Sequence, residues 1–167
     1  MVIEVLLIFT LQAYGVEKSL SPQAQRAIKE AENLSLLKDR LPACTALIRT
    51  IKKSLPGDSK ILKEKLNQLS RFFYTDKGFQ DFILGKELFE KQKFADAAEK
   101  LLESDELENG NADVLHYLEM SQLWLKQNTL ADAVNKRAML VNPYYIEILR
   151  DQNSGGNESR HDGRSGL

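Results

Sequence analysis

The chain has 167 residues, of which 43% are hydrophobic and 28% charged, with a formal net charge of −1. That is enough apolar content for one domain with a core, and the near-neutral balance argues against a general nucleic-acid binder. A single cysteine excludes an internal disulfide framework and a multi-cysteine metal site, and His116 and His161 form no HExxH motif.

Residues 5–11, VLLIFTL, are an apolar run followed by Ala13-Tyr14-Gly15. Small residues at the −3 and −1 positions suit a secretory signal peptide over residues 1–15, cut before Val16. The run is too short to span a bilayer as a helix. It lacks a preceding Lys or Arg, and Glu4 has the wrong sign; the alternative is a buried N-terminal helix or strand. A periplasmic or secreted location follows from the first reading, a cytoplasmic one from the second.

Ser21-Pro22 is an N-cap followed by proline at the first helical position. It predicts a helix to about residue 39, with Ala24, Ala27, Ile28, Ala31, Leu34 and Leu37 near helical spacing. A second helix is predicted over 42–54 on Cys44, Leu47, Ile48 and Ile51. Leu55-Pro56-Gly57-Asp58 reads as a turn, and a third helix follows over 59–74. Thr75-Asp76-Lys77-Gly78 punctuates the chain before helices over 79–91 and 94–107. Glu108-Asn109-Gly110-Asn111 breaks it again, before a helix over 112–126. Asn128-Thr129 opens a helix to 141, with Asp132 placed as in a capping box. Asn142-Pro143 caps a short last helix through residue 150. No segment alternates with period two, so the fold class is all-α, with one helical domain over 16–150. The tail, 151–167, has four glycines and only its final Leu167 is apolar; it reads as disordered.

Charge is uneven. Residues 16–76 hold 12 Lys/Arg against 7 Asp/Glu, and residues 77–150 hold 9 against 13. Unequal solvated helix faces account for this; a polarised surface for a charged partner is the alternative.

An internal repeat emerges when Ala97 and Ala133 are aligned. Leu84-Gly85, Leu88, Lys91-Gln92, Phe94 and Ala95-Asp96-Ala97 match Met120-Ser121, Trp124, Lys126-Gln127, Leu130 and Ala131-Asp132-Ala133, and Pro143 follows. The pattern resembles the tetratricopeptide repeat over residues 79–145, and more weakly over 21–57. The resemblance implies antiparallel helical hairpins stacked into a short irregular solenoid, with Gly85 packed against Ala97. Ser121 stands for the glycine in the last repeat, and the distance from Ala133 to Pro143 is about two residues short of the family's. Aligning Cys44 with Ala97 puts Glu32 at the glycine position of the first hairpin. The helix over 59–74 interrupts the array.

Chemistry-bearing motifs are missing: GxGxxG, GxxxxGK[ST] and GxSxG do not occur. Cys44 shares an apolar helix face and reads as core. His116 reads as a polar-face residue. The acidic stretch 105–113 fails as a calcium loop, because Leu107 and His116 fall at ligand positions. No cofactor and no enzymatic activity are expected. The resemblance implies instead a non-catalytic adaptor or scaffold that binds a peptide or helix of a partner protein in a concave groove. Phe82, Lys86 and Phe89 would line it from one repeat, and Leu118, Gln122, Leu125 and Lys126 from the next. The Lys and Asn carboxylate clamp of chaperone-binding members is absent, since Lys86 and Gln122 stand at the corresponding places. Cover by a neighbouring helix, or by the one near 144–150, is the other reading of these side chains. An accessory domain of a larger enzyme or transport complex is a further alternative for the whole.

Overall fold

Helix ends in this chain are set by side chains that satisfy the orphan backbone groups of the first and last turns. The computed structural model describes residues 20–147 and 149. Among them run α1 (Pro22–Leu36), α2 (Arg40–Ile51), α3 (Pro56–Arg71), α4 (Asp76–Glu90), α5 (Phe94–Glu108), α6 (Ala112–Trp124) and α7 (Asn128–Val141), with no strand. The fold is all-α. The apolar run at 5–11, its cleavage site and the tail at 151–167 lie outside the described residues.

Ser21 accepts a hydrogen bond from Ala24 N at 3.3 Å, and Pro22 occupies the first turn as expected. Two stretches read as turns are helix starts instead. Pro56 opens α3 from an extended Leu55, since its fixed φ suits the first helical position. Thr75 caps α4 by accepting from Gly78 N at 3.0 Å, with Asp76 in the positive first turn. Asn111 caps α6 through Asp113 N at 2.9 Å. The capping box on Thr129 and Asp132 does not form: Gln127 is the N-cap without a side-chain bond, and Asp132 pairs with Lys136 at 2.6 Å.

Three hairpins share one turn. Lys38, Gln92 and Lys126 follow α1, α4 and α6 with φ of 60°, 59° and 60°. The next N–H in each turn reaches back five residues: Asp39 to Leu34, Lys93 to Leu88 and Gln127 to Gln122, at 2.9–3.0 Å. These turns fix the repeat register by geometry. Gln92 and Lys126 are 34 residues apart, and Lys38 and Gln92 are 54 apart. The sequence alignment, at 36 and 53, is displaced by two residues and by one.

On the structural register, Ala43, Ala97 and Ala131 are equivalent, and all three are buried. Ala133, aligned with Ala97 in the sequence, is exposed. Ala31, rather than Glu32, takes the place of Gly85 in the first hairpin and is fully buried. The contact expected between Gly85 and Ala97 is made by Leu101: a Cβ at position 85 would lie 2.7 Å from Leu101 Cγ. The third hairpin replaces that contact by a hydrogen bond between the equivalent residues, Asn135 Nδ2 donating to Glu119 Oε1 at 2.9 Å. The shift also removes the two-residue shortfall before Pro143.

The hairpins stack through consecutive helices in a short irregular solenoid, α1–α2–α3 and α4–α5–α6–α7. α3 is the helix that interrupts the array. Further contacts join α2 to α7 and α3 to α6, so the first three helices lie against the last hairpin. Leu47, Leu62, Leu66, Leu101, Leu115 and Leu118 fill the core, with small alanines and Cys44 letting the helices approach.

Candidate functional site

The register determines which way each helix faces. At 3.6 residues per turn, a two-residue error rotates an assigned face by about 200°. Of the residues expected to line a groove from α6, Leu118 is 0% exposed and Gln122 is 5% exposed. Both point into the protein's own core and are not available to a partner. Leu125 is half-buried against that core. Lys126 is exposed, but it belongs to the left-handed turn residue rather than to the helix face.

The α4 residues fare differently. Phe89 and Lys86 are half-buried at the surface, while Phe82 is covered, 7% exposed. Its cover is Phe73 from the α3–α4 linker, with ring centroids 5.2 Å apart, and Tyr117 of α6 at 5.9 Å. Tyr117 also meets Phe89 edge-on at 5.5 Å, and Lys86 Nζ sits 5.7 Å from its ring centroid. The structure therefore brings Phe82, Lys86 and Phe89 together around Tyr117, a residue outside the expected set.

From Phe89 the aromatic contacts continue outward. Phe94, at the start of α5, packs edge-on against Phe89 at 5.4 Å. Trp124 then stacks on Phe94 with centroids 5.2 Å apart and planes inclined by 5°. Trp124 is 61% exposed, and its neighbour Leu123 is exposed as well. In the other direction, His116 lies between Tyr117 at 5.5 Å and Tyr145 at 5.6 Å. His116, Tyr117, Met120, Leu123 and Trp124 follow helical spacing on one face of α6. On the 34-residue register, His116, Met120 and Leu123 are the counterparts of Phe82, Lys86 and Phe89. The distance from Ala131 to Pro143 was the signal in the sequence that would have found them.

Electrostatically the face is mild. Lys86 has Glu90 one turn away at 3.9 Å. Burial lowers the His116 pKa from its ordinary 6.5, against the opposing pull of Glu119 and Asp113. Cys44 is fully buried on α2, and desolvation pushes its thiol up to about 12, so it carries no thiolate near neutral pH. Among the described residues no group of three His, Cys, Asp or Glu could hold a metal ion, and no helix is long and apolar enough to cross a membrane. What the face offers is stacking, apolar contact and a few hydrogen-bonding side chains.

Comparison with protein-family models, with curated proteins and with solved structures finds no match for this chain.

Proposed function

We propose that this protein is a non-catalytic adaptor or scaffold that binds a peptide or helix of a partner protein across the aromatic face of α4 and α6. The observation that carries the reading is Trp124, 61% exposed and stacked on Phe94 at the end of a continuous row through Phe89 and Tyr117. Tryptophan and tyrosine are the side chains that most often anchor protein interfaces, and an amphipathic helix or extended segment is the ligand such a surface suits. The 34-residue spacing of two hairpin turns supports kinship with the tetratricopeptide repeat, whose period it is. The N-terminal run at 5–11 supports export to the periplasm or the outside as the setting.

The test is titration of a partner captured from the native host against single variants. Trp124→Ala and Phe89→Ala weaken binding by about 2 kcal/mol each, as truncated anchors do. Lys86→Ala weakens it less, and its effect fades with added salt. Unchanged affinity for both aromatic variants, with helical circular dichroism intact, removes this face from the argument.

A further inference from the structure

The chain after α7 turns back across the molecule. Asn142 ends the helix, and its side chain donates to Ser70 Oγ of α3 at 3.0 Å. Pro143 follows, so the next residues leave the α7 axis. They lie between α3 and α6. Tyr144 receives Lys63 Nζ of α3 at 4.5 Å from its ring centroid, and Glu147 accepts from the same ammonium at 3.0 Å. Tyr145 packs on His116 of α6 and donates its hydroxyl to Asp113, which Arg71 of α3 also holds at 3.0 Å.

This segment is attached weakly compared with the helices it covers. Among its described residues Tyr145 is the one buried side chain; Ile146 is exposed, and Glu147 is 57% exposed. Exposed ion pairs contribute little, and a segment with few buried apolar contacts opens locally at low cost. Its release need not unwind α7, because Pro143 already separates the two. It is also continuous with the candidate face: Tyr145 extends the aromatic row through His116 to Tyr117.

We propose that residues 143–147 are an autoinhibitory strap, an intramolecular ligand that fills the His116 end of the docking face until a partner segment displaces it. The inference rests on the reading of that face as a docking surface. The strap's own contacts define its competitor: a short helical segment that presents a tyrosine to Asp113 and His116, and a carboxylate to Lys63 two residues further on.

The probe is a labelled synthetic peptide with the sequence of residues 141–150, titrated into the full-length chain by fluorescence anisotropy. The wild-type strap competes in cis, so the peptide binds Tyr145→Ala/Glu147→Ala at least about tenfold more tightly than wild type, the difference being the fraction of open sites. Adding Asp113→Asn to the strap variant reverses the gain. Equal binding to wild type and strap variant, or none to either, with circular dichroism unchanged, overturns the strap. If the variant does not fold, hydrogen exchange on the wild type decides. The amides of 144–147 then exchange at least about tenfold faster than those in the middle of α3 and α6; equal protection makes the segment part of the core and overturns the proposal. Neither experiment uses the partner, so failure here is separate from failure of the Trp124 and Phe89 titrations.

Discussion

Arg40 and Glu108, 68 residues apart in sequence, form an ion pair with both side chains fully buried, Nη2 to Oε2 at 3.1 Å. The guanidinium also donates to the carbonyls of Glu108, Leu69, Ser70 and Phe72, and lies over the Tyr74 ring at 4.5 Å. The carboxylate accepts from Tyr74 N at 2.7 Å, and from Thr75 N and Oγ1. One pair thus ties together the start of α2, the end of α3, the α3–α4 linker and the end of α5. Gly78 makes room for it, since a Cβ there would stand 2.5 Å from Glu108 Oε1. The same linker carries Phe73 onto Phe82, so the pair also holds the cover of the candidate face.

Removing one partner leaves a buried charge without compensation. Glu108→Ala is expected to cost about 3–5 kcal/mol, and Arg40→Ala a similar amount. Replacing both residues together with apolar side chains of like volume costs much less than the sum. Urea unfolding of the two single variants and the double variant measures this. Strict additivity of the two losses contradicts the coupling.

Gly85 is where a side chain has no room. Gly85→Leu is expected to destabilise the fold by about 3 kcal/mol, through overpacking against Leu101. Gly85→Ala loses less, because the helix gains about 1 kcal/mol of propensity that offsets the closer contact. In a Leu101→Ala background the penalty of Gly85→Leu shrinks. A thermal melt of Gly85→Leu that matches wild type rejects the α4–α5 packing described above.

His116 gives stability a pH dependence. Its folded pKa lies below its unfolded value because burial disfavours the imidazolium. The unfolded chain then binds the proton more readily, so the contribution is complete above about pH 6.5 and is lost as pH falls through the lower folded value. The groups facing it are Asp113 and Glu119 on its own helix, which oppose the shift, and the Tyr145 ring of the strap. His116→Gln is expected to flatten the fall in melting temperature between pH 7 and 5 relative to wild type, within the range where histidine titrates. Parallel profiles for the two proteins contradict a depressed His116.

The helices themselves were legible in the linear order of residues, because capping and periodicity act within a few positions. Ser21-Pro22 starts α1, the breaks before Phe94, Ala112 and Asn128 fall at turns, and the all-α class follows. Phe82, Lys86 and Phe89 could be grouped from spacing on one helix. Their partners on α6 could not. The repeated Ala-Asp-Ala triplet drew the alignment to 36 residues, whereas the hairpin turns repeat at 34, and helical rotation turned that small error into the wrong face. Leu118 and Gln122 are therefore core, and Tyr117 and Trp124 belong to the surface row. Tertiary packing also decided what no local pattern encodes: the union of Arg40 with Glu108, and the return of Tyr145 onto His116. Local hydrogen bonds and side-chain period fix where a helix begins and which residues share its side. Which side meets another helix is settled only when distant segments compete for the same buried volume.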